Sequence, residues 1–232
     1  MTSVICNAMI TLLANGVILL KGGLILSETM TVHEAILQAA ETEFLEKGFQ
    51  NASLRNIVKT AGVTTGAFYR YYSSKDALFA ALVEPHAAHV KHLFISAIEA
   101  WDALPADEKP HRMDDCSGPC IDAMLDYIYD HYTSFKLLIC AASGTVYEDF
   151  IHDLVEEEVS SAFRCAEVLR GLGHDVPNTD RDLLHMVSSA MFSGIFEIVV
   201  HDMDKVDAKR RVHQLREFFT GGWSRLMNFE FQ

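Results

Sequence analysis

Between Thr31 and Phe79 the apolar residues recur three and four apart, and the pattern is cut twice by a single glycine, Gly48 and Gly62. Such spacing buries one stripe of a helix, and a lone glycine at its end accepts the left-handed conformation that closes it. Three short helices follow from this punctuation. The first is expected over Val32–Lys47, with Ile36, Ala39, Ala40, Phe44 and Leu45 on one face and Phe49 returning to the core after Gly48. The second opens at Ser53, whose hydroxyl can accept from a free N–H of the first turn. Leu54, Ile57, Val58 and Ala61 form its buried side, and Val63 plugs the turn after Gly62. The third begins at Thr64 or Thr65 and runs to about Tyr72, with Phe68 and Tyr72 inward and Tyr69, Arg70 and Tyr71 outward. Gly66 and Ala67 are small enough to bring its backbone close to another surface. Ser73 or Ser74 then caps a fourth helix. Two helices joined by a tight glycine turn, the second presenting Thr, Gly, Tyr and Arg, make a helix-turn-helix.

Charge singles out the same segment. The 232-residue chain carries a formal net charge of −13. Residues 31–84 hold five basic and six acidic side chains, whereas residues 85–232 hold 13 and 25. Inside 53–75 stand Arg55, Lys59, Arg70 and Lys75 and no acid. A basic window in an acidic chain is an electrostatic footprint for phosphate, although four cations also make an ordinary solvated face.

The remainder reads as helical throughout, so the expected class is all-α. A fourth helix runs from Lys75 towards Leu104 with a kink at Pro85, and the proline-rich residues 104–119 form a loop. Helices follow over Cys120–His131, Phe135–Ala142, Tyr147–Leu172, Thr179–Met203 and Val206–Phe229. The expected organisation is an apolar extension (1–30), a helix-turn-helix domain (31–76) and a helical effector-binding and dimerisation domain (77–232). The apolar run Ala8–Leu20 is short and broken for a membrane span and lacks the basic start of a signal peptide. Translation starting at Met30 is the expectation for residues 1–29; an extra packed helix and a membrane anchor are the alternatives. Five scattered cysteines argue against a disulfide framework and for a reducing cytoplasm.

No phosphate loop, zinc-hydrolase motif or nucleophile elbow is present, so no enzyme activity is expected. His86, His89 and His92 do not share one helix face, and no metal is assigned to them. Cys116 and Cys120, with His111 nearby, leave a thiol- or metal-sensing alternative, but Asp114 and Asp115 would raise the thiol pKa values. The "EEE" of 156–158 reads as solvated surface. The last two helices are apolar on more than one side. Phe192, Phe196, Val199, Phe219 and Trp223 are therefore candidates for a dimer face, the alternative being a buried core.

The stretch "ILQAAETEFLEKGFQNASLRNIVKTAGVTTGAFYRYYSSKDALF" resembles the tetracycline-repressor (TetR) family of bacterial regulators along its whole signature, about a fifth of the chain. "FSGIFEIVVHDM" and "FFTGGWSRLM" resemble the final two helices of some members. The resemblance implies a cytoplasmic homodimeric repressor on a palindromic double-stranded operator, with no cofactor, in which a small-molecule effector alters the spacing of two DNA-reading heads. It implies that Arg55 reaches a base edge or phosphate and that Thr64, Thr65, Gly66 and Arg70 lie along the reading helix. Tyr69, Tyr71 and Lys75 resemble phosphate-clamping positions. The basic N-terminal arm of many members is missing here. An effector pocket is expected between helices of the second domain, with Trp101, Tyr127, His131, Phe135, Phe163, His185 and Met186 as candidate lining.

Overall fold

The computed structural model describes residues 30–231 and two short antiparallel strands, β1 (Leu12–Leu13) and β2 (Val17–Ile18). The expectations about a translation start, an anchor or a packed helix fall on the other N-terminal residues and lie outside those described. Everything from Val32 onward is helix and connecting turn, so the fold is all-α.

Helix α1 (Val32–Asn51) is opened by Thr31, which accepts from the Glu34 N–H while the Glu34 carboxylate takes the Thr31 N–H. This reciprocal pair satisfies two donors that the first turn leaves free. Gly48 breaks the helical backbone with φ 70° and ψ 163°, where the sequence placed the stop, and a last short turn continues beyond it. Helix α2 (Leu54–Thr60) is capped by Ser53, and Gly62 turns the chain with φ 66°. Helix α3 (Thr65–Phe68), capped by Thr64, is shorter than expected, because residues 69–71 tighten into a turn before Ser74 caps α4 (Lys75–Asp102).

Pro85 does not divide α4, which is one helix on both sides of it. The segment expected to be a loop is mostly ordered. Lys109–His111 form a 3-10 turn whose Lys109 carbonyl accepts from Trp101 Nε1 at 2.9 Å. Helix α5 (Met113–Asp130) then starts seven residues before Cys120 and passes through Pro119. Two acids in its first turn, Asp114 and Asp115, suit the positive end of the helix dipole. Helices α6 (Tyr132–Cys140), α7 (Phe150–Gly171), α8 (Arg181–Val200) and α9 (Lys205–Met227) complete the chain.

The head (α1–α3) and the body share a core. Phe44 and Phe49 of α1 meet Phe79 of α4 at ring-centroid distances of 5.1 and 5.3 Å. Phe49 N–H donates to the Ala141 carbonyl at 2.9 Å, tying the end of α1 to the end of α6. The boundary expected after Asp76 therefore crosses no linker: Leu78 and Phe79, both fully buried, belong to α4 and to the head's core. Among the described residues, α8 is long and apolar enough to cross a membrane by composition. Leu184, Phe192, Phe196 and Val199 on it are nevertheless buried inside the molecule.

Candidate nucleic-acid interface and ligand cavity

The head's outer surface is built by a division along α3 and the turn after it. Phe68 is fully buried and Tyr72 nearly so, the latter sharing a 2.8 Å hydrogen bond with His33 Nε2. Tyr69, Arg70 and Tyr71 consequently point out, with the two tyrosines about half exposed. Thr64, Thr65 and Gly66 are exposed at the helix start, and no atom lies closer than 4.0 Å to where a Cβ on Gly66 would stand. Arg55 and Lys59 are exposed on α2. Among the described residues, Arg55, Lys59 and Arg70 enter no ion pair of the molecule's own. Seven of the eight candidate DNA-contacting residues thus share one open surface of hydroxyls, cations and a bare backbone. That set is able to bind phosphate oxygens and base edges.

Lys75 is the exception. Its ammonium donates to the carbonyls of Phe49, Gln50 and Ala52 at 2.6, 3.3 and 3.2 Å and lies 4.3 Å from the Phe49 ring centroid. The end of α1 leaves carbonyls without partners, and a cation from the start of α4 satisfies them. The phosphate-clamping expectation for Lys75 is corrected to an internal cap. Glu43 has a comparable bracing role that the sequence did not reveal. It is buried and accepts from Lys47 Nζ at 2.8 Å, the Ser53 N–H at 2.9 Å and Asn56 Nδ2 at 3.3 Å, so α1 holds the start of α2. Lys47 first, then the Ser53 N–H, keeps its carboxyl below the usual range.

The body contains a cavity of about 180 Å³ walled by α4, α5, α7, α8 and α9. Its lining is mostly apolar, with Phe94, Ile98, Met124, Phe192, Phe219 and Trp223 prominent, and with Ser117, Glu158, Ser161, Thr220 and Arg216 as the polar groups. Of the seven candidate lining residues it includes Trp101 alone. Tyr127, His131 and Phe135 instead pack with His86 and His89, the His89 and Tyr127 rings stacking at 4.0 Å. Phe163 and His185 lie outside the cavity, and Met186 is 67% exposed. Periodicity identified aromatic positions but not which helix face looked inward.

Three residues assigned to a dimer face are corrected too. Phe192, Phe196 and Val199 are 2%, 1% and 0% exposed, so packing within the chain uses them, and Phe219 and Trp223 turn towards the cavity. The outward apolar groups of these helices are Leu183, Met186 and Val200 on α8 and Val206 and Phe218 on α9.

Glu158 overturns the reading of "EEE" as plain surface. It shares a stripe of α7 with Ser161, Ala162 and Cys165 and faces the cavity. Burial pushes its carboxyl up to about 7. The residue keeps partial exposure, which moderates that push. Arg216 is ion-paired with Asp114 and is not its partner. Cys116, Cys120 and Cys165 also reach the cavity, and burial pushes Cys120 up to about 11 and Cys165 up to about 12, away from the thiolate form a redox sensor needs.

An exposed two-helix unit on a helical body defines the class: an all-α protein with a helix-turn-helix head. Residues 36–82 match the model of the bacterial regulatory proteins of the tetR family. That match takes in about a fifth of the chain, the helix-turn-helix head and the start of α4. The chain is 47% identical over 62 residues to the uncharacterized HTH-type transcriptional regulator YvdT of Bacillus subtilis, covering 27% of this chain and 32% of that protein. It is 40% identical over 55 residues to the HTH-type transcriptional repressor NemR of Escherichia coli K12, covering 24% and 28%. The chain thus spans about a third of the length of these curated relatives. The fold is similar to that of SCO3833, a TetR-family member from Streptomyces coelicolor, with a TM-score of 0.52 at 17% identity over 87% of this chain and 95% of that one.

Proposed function

We propose that the protein is a ligand-responsive repressor that works as a homodimer in the cytoplasm and is released from a palindromic operator by a small molecule. The observation that carries this reading is helix α4. Its first turns pack into the head through Leu78 and Phe79, and its last turns wall the cavity through Phe94, Ile98 and Trp101. Anything that spreads the cavity acts on the rod that positions the reading unit. An effector can shift the head only to the extent that it prefers one arrangement of that rod.

In this reading Thr64, Thr65, Gly66, Tyr69, Arg70 and Tyr71 meet the duplex, with Arg55 at its edge. Dimerisation places two such heads on one face through the outward sides of α8 and α9, where Met186, Val200 and Phe218 are exposed. The effector is largely apolar, as the lining is, with a basic or hydrogen-bond-donating group for Glu158. Repression rather than activation is favoured by two similar proteins, the transcriptional repressors NemR of Escherichia coli and BepR of Brucella suis.

The test is duplex binding by fluorescence anisotropy, using fragments flanking the protein's own gene, over a range of salt concentrations. Affinity should fall steeply as salt rises, because neutralised phosphates release counterions. A cavity ligand identified by mass spectrometry of co-purified material should weaken binding. Affinity indifferent to salt and to the ligand would remove this reading.

A further inference from the structure

His152 and Glu156 stand four residues apart on α7, so one face of the helix carries both. His185 faces them from α8. Taking one ligating atom from each, the three lie within 4.8 Å of one another. His185 Nε2 is 3.5 Å from Glu156 Oε1, and the two imidazole centroids are 5.4 Å apart. On the far side of the His185 ring, Nδ1 meets Ser189 Oγ at 3.4 Å. With Nδ1–H donating to that hydroxyl, the lone pair of Nε2 is directed at Glu156, the arrangement that outer hydrogen bonds impose on ligating histidines. Arg181 binds the other oxygen of Glu156 and leaves Oε1 on the side of the histidines.

We infer that His152, Glu156 and His185 form a binding site for a divalent transition-metal ion of the zinc type that bridges α7 and α8. Two imidazoles and one carboxylate suit zinc, cobalt or nickel, whereas calcium and magnesium favour all-oxygen shells. Three protein ligands leave a further position for water. The site is separate from the cysteines of the cavity. It also has a structural consequence, because α7 carries Glu158 and Cys165 of the cavity wall and α8 carries Met191 and Phe192. An ion joining the two helices holds those walls at a set spacing. Arg181, a like charge beside the ion, limits the affinity.

The experiment uses the full chain, stripped with chelator and titrated with Co²⁺, and with Zn²⁺ against a chromophoric chelator. The expected result is a single equivalent per chain, with visible d–d absorption and no near-ultraviolet thiolate band. His152 is exposed, so His152→Ala leaves the far-ultraviolet circular dichroism unchanged while lowering affinity at least ~100-fold, more than the loss of an outer partner causes. His185→Ala does the same. Absence of binding, a thiolate charge-transfer band, or unchanged affinity in His152→Ala overturns the site.

Discussion

At Lys75 a single ammonium meets three carbonyl oxygens at the end of α1. Removing it leaves those acceptors without a charged donor, so Lys75→Ala should lower unfolding stability by about 1–3 kcal/mol in urea titrations. Arg70→Ala removes an exposed side chain and should change stability by no more than ~0.5 kcal/mol. Its effect belongs to DNA: weaker binding, with a salt slope shallower by about one if Arg70 holds a phosphate. Equal destabilisation by both substitutions would contradict this division. Glu43 adds a pH dependence of known sign. Its folded pKa is depressed, so its contribution is full above the ordinary carboxylate range and is lost as pH falls through the lower, folded value. Glu43→Gln should flatten the acid limb of a stability–pH profile. The pattern of Phe68 and Tyr72 made the inward and outward sides of α3 legible. The partners of Lys75, and those of Glu43 on α2 and its cap, were not, because they lie 23 to 26 residues and 10 to 13 residues away along the chain.

Helix boundaries followed local chemistry closely where caps and glycines were present. Thr31, Ser53, Thr64 and Ser74 each accept a first-turn N–H, and Gly48 and Gly62 adopt positive φ. Prolines misled twice in the same direction. Pro85 and Pro119 sit inside helices whose neighbours in the body hold them, and a local rule sees the missing N–H but not that packing. Where α8 meets α9, a Cβ added at Gly194 would stand 2.9 Å from Leu215 Cδ2, so the end of that side chain must move. Gly194→Val, which adds two methyl groups beyond the Cβ, should displace Leu215 at a cost of about 1–3 kcal/mol, the usual range for overpacking, read as a lowered melting temperature.

At the scale of the whole molecule, the cavity sits at the far end of α4 from the reading unit, and the Glu158 carboxylate on its wall sets a second pH dependence. The folded pKa of Glu158, about 7, lies above its unfolded value, so the folded state keeps a proton that the unfolded chain has released. Ligand-free protein should then lose stability as pH rises from the ordinary carboxylate range to about 7, and none from this group above it. The loss should be about 2 kcal/mol, below the ~3 kcal/mol of the full shift because the residue keeps partial exposure. Glu158→Gln should abolish it in unfolding titrations across that range. The assembly has its own test. Phe218→Glu places a charge on the outward face of α9 and should yield monomers by sedimentation velocity with helicity unchanged, whereas an intact dimer would exclude that face.

The amino-acid sequence determined the all-α class, the three-helix head and the outward side of its reading helix, because spacing, caps and glycines act over a few residues. The tertiary structure alone decided what Lys75 and Glu158 face, which aromatic groups wall the cavity and which sides of α8 and α9 stay exposed. Those properties depend on how helices far apart in the chain rotate about their axes when they pack, and a periodic apolar pattern is compatible with several such rotations.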